Sequence, residues 1–165
     1  MNRVAVAAVA AALSGCVQVG GAPPAAVVAG AGEIPITLAG ASGAAVLVPV
    51  HINKRGPYQF VLDTGATLTC VDEALAERLE LPQPVGMLGY GATLGETGTI
   101  GLHRIDTLNV GDASASRLTA CSLDLQRMEQ VGLKADGLLG LNFLKAFKVT
   151  LDFERRLLTL TPSKK

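Results

Sequence analysis

The stretch YQFVLDTGAT, residues 58–67, decides the fold of this chain. Positions 60–62 are Phe-Val-Leu, a run without a polar face, which predicts a buried β-strand. The run ends at Asp63, and Gly65 follows at once, so a carboxylate leaves the core directly into a tight turn. A carboxylate at such a position is costly to bury unless it is hydrogen-bonded or used in chemistry. An Asx-type turn that caps the strand is the competing explanation.

A second stretch, ADGLLGLNFL at residues 135–144, lies far downstream. Its two leucines are expected to enter the core, and the glycine after them permits another backbone segment to approach closely. The two stretches together resemble the paired motifs of the retroviral-type (retropepsin-like) aspartic proteases, over roughly residues 44–162. The residues that match are Asp63, Thr64, Gly65 and Ala66 in the first motif and Leu138, Leu139 and Gly140 in the second. The resemblance implies an all-β fold with one or two short helices, built as a single closed-barrel lobe with a flap hairpin.

The resemblance also implies roles for the matched residues. Asp63 would be the catalytic acid and base, and Thr64 would lock two such loops together through hydrogen bonds between subunits. The backbone at Gly65 and Ala66 would orient the carboxylates and the substrate. The segment of residues 138–140 would support the loop. No metal or organic cofactor is expected.

Aspartic proteolysis needs two carboxylates that share one proton across a water molecule. Only Asp63 stands in the required context, because Asp106-Thr107 lacks the following glycine and the aspartates at positions 124, 136 and 152 have different neighbours. The chain is also too short for two fused lobes. An active protease would therefore be a homodimer with one Asp63 from each subunit.

Residues 85–104 are apolar and threaded with glycine. A phosphate-binding loop is excluded, because neither a Walker lysine nor a following helix is present. The pattern predicts a hairpin, which in the resembled family is the flap that closes over substrate. A plain meander hairpin is the alternative. The predicted flap tip consists of Gly91, Ala92, Thr93, Leu94 and Gly95.

The N-terminus indicates export. Residues 1–15 hold a short apolar run, and the ending Leu13-Ser14-Gly15-Cys16 resembles the lipobox of bacterial lipoproteins, which implies lipidation of Cys16. Residues 16–33 are expected to form an Ala/Gly/Pro tether, residues 34–162 the domain and residues 163–165 a tail. The expected location is the bacterial cell envelope, facing the periplasm, with a mild preference for the outer membrane. An ordinary signal peptide cleaved nearby, with an incidental cysteine, is the alternative.

Composition supports one β-rich domain. The 165 residues are 49% hydrophobic and 17% charged, with a formal net charge of zero, so no basic field exists to attract nucleic acid. Nineteen glycines and no tryptophan fit a turn-rich β protein. His51 and His103 lie far apart and are interpreted as structural or surface residues. Cys70 and Cys121 fall in predicted strands, and threading the family pattern brings them together as a possible disulfide, with two buried thiols as the alternative.

Strands are predicted at residues 34–38, 44–52, 58–62, 68–71, 105–110, 117–123, 149–153 and 157–160, and helices at 73–80, 124–131 and 142–147. The resemblances to the aspartic proteases and to the bacterial lipoproteins together imply a membrane-tethered homodimeric aspartic endopeptidase that cuts peptide or protein substrates. A catalytically silent peptide- or protein-binding lipoprotein on the same fold is the main alternative. A purely structural envelope lipoprotein would explain the tether but neither motif.

Overall fold

The computed structural model describes residues 26–28, 32–83, 88–93, 96–130 and 132–163. Within these ranges the chain is mostly β. The helices are α1 (Glu73–Arg78), α2 (Gln126–Gln130) and α3 (Leu141–Leu144). The strands are β1 (Ala26–Val28), β2 (Glu33–Pro35), β3 (Thr37–Ala39), β4 (Ala45–Ile52), β5 (Arg55–Leu62), β6 (Cys70–Asp72), β7 (Leu88–Thr93), β8 (Glu96–Val110), β9 (Ala113–Leu123), β10 (Gly137–Leu139), β11 (Phe147–Asp152) and β12 (Leu157–Pro162).

Six of these strands close into a barrel. The order of hydrogen-bonded neighbours is β9, β6, β10, β5, β4 and β8, and β8 pairs again with β9. The neighbours β4 and β5, like β8 and β9, are antiparallel, whereas β10 lies parallel to β5 and β6 lies parallel to β9. Closure removes the free edges of these six strands. The predicted all-β closed barrel is confirmed.

The β4–β5 hairpin shows how the sequence pattern builds the barrel wall. Val48, Val50 and Ile52 alternate along β4 and are fully buried, as the period-2 pattern predicts. Val48 lies opposite Phe60 of β5, which is also fully buried. These apolar side chains pack across the strand pair and hold β5 in the core, so Asp63 lies just beyond the end of a core strand.

A small second sheet packs beside the barrel. Its strand order is β11, β12, β2, and Leu158 and Leu160 of β12 have no exposed surface. Phe143 of α3 and Phe147 of β11 meet with ring centroids 5.2 Å apart. These residues belong to the main apolar core together with Phe60, so the C-terminal hairpin is part of the same domain as the barrel.

A separate apolar cluster lies on the side of the barrel that carries the two motifs. We call it the site-side cluster; its buried members are Leu68, Cys70, Ile100, Leu102, Cys121, Leu123, Leu125 and Leu138. Cys70 and Cys121 are joined by a disulfide, and they occupy opposite positions in the parallel β6–β9 pair, with Cα atoms 4.3 Å apart. The disulfide therefore links the strand after the Asp63 loop to β9.

Several predicted boundaries differ from the structure. The strand predicted at residues 34–38 is divided at Ile36, because β2 pairs with β12 whereas β3 pairs with β4. The strand predicted at residues 105–110 is the end of β8, which begins at Glu96. Helix α1 begins where predicted, because the Asp72 carboxylate accepts a hydrogen bond from the Leu75 N–H at 3.3 Å. It ends at Arg78 rather than at residue 80.

The tether predicted at residues 16–33 contains a strand that its composition did not indicate. Strand β1 pairs antiparallel with β9, with Ala26 opposite Ser116 and Val28 opposite Ser114. This part of the predicted tether is therefore docked on the barrel. Residues 1–25, with the predicted signal peptide and Cys16, lie outside the described residues. Among the residues that are described, no helix is both long and apolar enough to cross a bilayer.

Candidate active site

Asp63 lies at the end of two parallel strands. In the β5–β10 pair, Val61 is opposite Leu138 and Leu62 is opposite Leu139. The Asp63 N–H continues this pairing, because it donates to the Leu139 carbonyl oxygen at 3.1 Å. The two sequence motifs, which are more than seventy residues apart, therefore meet directly in the fold. The strand pair fixes the backbone from which the carboxylate projects.

The two oxygens of the Asp63 carboxylate have different surroundings. Oδ1 accepts a hydrogen bond from the Gly65 N–H at 2.8 Å, which closes an Asx-type turn. Oδ2 is buried and has no hydrogen-bond partner within the described part of the chain. A buried acceptor without a partner costs about 1–3 kcal/mol, more when it is charged. The geometry therefore leaves a carboxylate oxygen that needs a partner from outside these residues.

The rest of the first motif faces outward. Thr64 and Gly65 are exposed, and Ala66 is half-buried. The Ala66 carbonyl oxygen accepts a hydrogen bond from the Leu141 N–H at 2.8 Å. The loop is thus held from behind by the second motif, while its outer side, including the Thr64 side chain, is open to another molecule.

Gly140 is required by close packing. A Cβ atom at this position would overlap the carbonyl group of Leu68 and lie 2.8 Å from the Thr69 nitrogen. The chain after the Asp63 loop therefore passes directly over the end of β10. Only glycine has room at such a crossing, as the sequence analysis anticipated.

A hydrogen-bond network between Asn142 and Thr69 was missed by the sequence analysis. The Asn142 Oδ1 atom accepts from the Thr69 N–H at 2.8 Å and from the Thr69 hydroxyl at 2.9 Å. The Asn142 amide nitrogen donates to the Thr119 carbonyl oxygen at 2.8 Å, and the Gly140 N–H donates to the Thr69 hydroxyl at 3.2 Å. Because Thr69 is fully buried, this network fixes the exit of the Asp63 loop against α3 and β9.

Asp136 also has a structural role that the sequence did not reveal. Its carboxylate accepts a hydrogen bond from the Gln59 N–H at 2.7 Å, and its own N–H donates to the Gln59 carbonyl oxygen at 2.7 Å. These bonds extend the β5–β10 pairing at its other end. Asp136 is therefore committed to the scaffold and does not supply a second free carboxylate.

The predicted flap falls on a hairpin. Gly91, Ala92 and Thr93 lie in β7, which pairs antiparallel with β8 from Leu88 opposite Gly101 to Thr93 opposite Glu96. Leu94 and Gly95, at the predicted tip, lie outside the described residues. At the root of the hairpin, Ile100 and Leu102 join Leu68 and Leu138 in the site-side cluster. The hairpin is therefore packed onto the same apolar cluster as both motifs.

In the ranges that the structure describes, no group of three or more His, Cys, Asp or Glu side chains has the geometry to hold a metal ion.

The arrangement defines a class of protein. A closed barrel that presents an Asp-Thr-Gly-Ala loop against a Leu-Leu-Gly strand has the fold of the retropepsin-like aspartic proteases. A family model described as aspartyl protease matches residues 48–143, and the chain belongs to this family.

The fold is similar to that of a solved structure. The chain is similar to a retropepsin-like aspartic protease from Rickettsia conorii, with a TM-score of 0.51 and 20% identity over 86% of this chain and 96% of that one. It is also similar to the retroviral protease-like domain of Ddi1 from Leishmania major, with a TM-score of 0.41 and 17% identity over 72% of this chain and 93% of that domain. A comparison with curated proteins finds no significant match.

Proposed function

We propose that this protein is a membrane-tethered aspartic endopeptidase that acts as a homodimer, with Asp63 of each subunit forming the catalytic dyad. The proposal is carried by one observation: the Asp63 Oδ2 atom is buried and has no hydrogen-bond partner among the described residues of one chain. A second Asp63 carboxyl group and a bound water would supply the missing partners. The outward-facing Thr64 and Gly65 leave the loop accessible to a second copy.

The dyad would hydrolyse a peptide bond by general acid–base catalysis. One carboxylate takes a proton from the bound water as its oxygen attacks the scissile carbonyl carbon, and the other, protonated, carboxyl group donates its proton to the carbonyl oxygen. The first carboxyl group then gives the proton it took to the amide nitrogen, while the other carboxylate takes a proton from one hydroxyl of the tetrahedral intermediate. The C–N bond breaks, which releases the amine and the carboxylic acid and restores the dyad. The Gly65 N–H would keep the Asp63 carboxylate oriented throughout, through its bond to Oδ1.

The surrounding residues have supporting roles in this proposal. Thr64 would hydrogen-bond to the partner's loop, which would hold the two carboxylates in register. Leu138, Leu139 and Gly140 would fix the loop from behind. The hairpin of residues 88–93 and 96–100 would close over an extended peptide substrate.

The proposal places the enzyme at a bacterial membrane surface. Lipidation of Cys16 would anchor the chain in the cell envelope facing the periplasm, and the disulfide between Cys70 and Cys121 suits an oxidising compartment. Metabolic labelling with a fatty-acid analogue tests the anchor. Label in the wild-type chain that disappears in the Cys16→Ser variant is the expected result, and equal labelling of both chains would contradict it.

A cleavage assay tests the activity. The full chain in detergent micelles would be incubated with a broad peptide library from acid to neutral pH, with its sedimentation state recorded at the same concentration. Asp63→Asn should abolish cleavage. Asp106→Asn is the matched control, because Asp106 is also followed by threonine but is exposed on β8. It should leave cleavage intact.

The outcomes separate the candidate functions. Cleavage that vanishes with Asp63→Asn and rises with the dimer fraction supports the two-chain protease. A chain that stays monomeric at high concentration and does not cleave would contradict it and favour a peptide-binding module on the same fold.

A further inference from the structure

A buried histidine lies at the root of the hairpin and is not used by the proposed chemistry. His103 is in β8 and only 6% exposed. Its Nδ1 atom is 3.1 Å from the Leu81 carbonyl oxygen, and its Nε2 atom is 3.4 Å from the Gln83 amide nitrogen. An imidazole removed from water needs such partners, so the side chain is held on two sides.

The partners identify the tautomer of the imidazole. A carbonyl oxygen can only accept, so the hydrogen lies on Nδ1 and is donated to Leu81. In the neutral ring Nε2 is then an acceptor and faces the Gln83 amide N–H group. As the Nδ1–H tautomer, His103 donates to the Leu81 carbonyl oxygen and can accept from the Gln83 amide, and a hydrophobic side chain can do neither.

These contacts join the two ends of the hairpin. Leu81 and Gln83 belong to the segment that leads into the hairpin, and His103 belongs to the strand that leaves it. The next residue adds a parallel link, because the Arg104 N–H donates to the Pro82 carbonyl oxygen at 2.9 Å. Residues 81–83 are not part of a strand, and the described pairing of β7 with β8 begins with Leu88 opposite Gly101. The His103 side chain thus supplies a connection that sheet pairing does not provide there.

Gly101 shows how tightly this junction is packed. A Cβ atom at Gly101 would lie 2.6 Å from the Ser122 hydroxyl oxygen, 3.3 Å from the Gln83 amide nitrogen and 3.4 Å from His103 Nε2. Three polar side chains therefore converge beside one glycine. Ser122 follows Cys121 of the disulfide in β9, so the junction rests against a strand that is covalently linked to β6.

We propose that His103 is a positioning residue that fixes the root of the hairpin and so sets how the hairpin meets substrate. This proposal rests on the proposed protease function for its effect on substrate, but the His103 contacts stand independently of it. Ile100 and Leu102 next to the junction pack in the site-side cluster with Leu68 and Leu138. A shift of the root is therefore transmitted toward both motifs, while the Asp63 carboxylate itself is not touched.

The test compares three variants of the full chain in detergent micelles. His103→Leu removes both hydrogen bonds. His103→Asn keeps an amide N–H near the position of Nδ1 and is the conservative variant. His51→Leu is the matched control, because His51 lies in β4 opposite Asn109, away from the hairpin. Amide hydrogen exchange of residues 88–93 and 96–100 and the KM and kcat for a cleaved peptide are measured for each.

The expected result is selective. His103→Leu should speed exchange in the hairpin about tenfold, since both hydrogen bonds are lost, and should raise KM about three- to tenfold with kcat within about a factor of two. His103→Asn should recover most of both effects, and His51→Leu should change neither. Unchanged hairpin exchange in His103→Leu, or equal acceleration across the whole barrel, would overturn the proposal. Exchange is readable without catalysis, so a chain that proves not to be a protease would refute the proposed function and leave this test intact.

Discussion

Replacing Asn142 by alanine should destabilise the fold more than an ordinary exposed polar substitution does. The change removes three hydrogen bonds, from the Thr69 N–H at 2.8 Å, from the Thr69 hydroxyl at 2.9 Å and to the Thr119 carbonyl oxygen at 2.8 Å. Each contributes about 1 kcal/mol net, and a buried donor left without a partner costs about 1–3 kcal/mol. Thr69 is fully buried, so no water replaces Asn142 there without rearrangement.

The expected loss is therefore about 3–5 kcal/mol, a large part of the roughly 5–15 kcal/mol that stabilises a typical domain. Urea denaturation of the full chain, followed by circular dichroism, measures it as a lower midpoint with an unchanged slope.

Thr69→Val is the matched variant, because it removes the hydroxyl but keeps the N–H bond to Asn142. Combining the two changes in a double-mutant cycle should give a coupling free energy of about 1 kcal/mol for the hydroxyl bond. A loss below about 1 kcal/mol for Asn142→Ala would refute the reasoning that this network holds the Asp63 loop.

Three further substitutions test the packing of the Asp63 loop, the disulfide and the proposed dimer interface. Gly140→Ala should cost about 1–3 kcal/mol and reduce cleavage, because its methyl group overlaps backbone after the Asp63 loop; an unchanged thermal midpoint would contradict this. Replacing Cys70 and Cys121 together by alanine should lower the free energy of unfolding by about 2–4 kcal/mol, since a loop with a sequence separation of 51 is no longer closed. Equal stability of the oxidised and the reduced wild-type chain would argue against a stabilising disulfide. Leu141→Arg should weaken the association of the proposed dimer about tenfold, as measured by sedimentation. The reason is that this exposed leucine lies beside Ala66 and would be covered by the partner. Unchanged association would place the interface elsewhere.

The sequence predicted those parts of the fold that short-range pattern controls. Alternation in β4 and the unbroken apolar run of β5 specify a hairpin with one buried face, and this places Asp63 at the end of a core strand. The burial of the Leu-Leu-Gly stretch could also be predicted from its own residues. Its parallel pairing with β5 is not local, and that step came from the resemblance to a family rather than from periodicity.

The parts that were missed depend on contacts between residues distant in sequence. Asn142 looks like an ordinary helix-turn residue and Thr69 like an ordinary strand residue, and nothing in either neighbourhood reveals a bond across 73 positions. One signal was available in the sequence. Thr69 falls in a predicted strand, and Gly140, two residues before Asn142, was predicted to allow another backbone segment to pass closely. Strand β1 was missed for the same reason, because three residues in an Ala- and Gly-rich segment have no period, and the edge of β9 decides their conformation.

Dimerisation and membrane attachment are physically coupled in the proposed function. One chain supplies one Asp63, so the rate at low concentration depends on how often two copies meet. Anchoring through Cys16 would confine the copies to a thin layer and raise their effective concentration without any new protein contact.

Lipidated chain in vesicles should then cleave efficiently at total concentrations where the Cys16→Ser chain is inactive. The two should converge when the unanchored chain is concentrated enough to dimerise. If Cys16→Ser cleaved equally well at every dilution, either the dimer would be too tight for the membrane to matter or a single chain would be sufficient. Sedimentation at the lowest active concentration distinguishes the two, because only the second outcome leaves an active monomer, and an active monomer is incompatible with a dyad built from two Asp63 carboxyl groups.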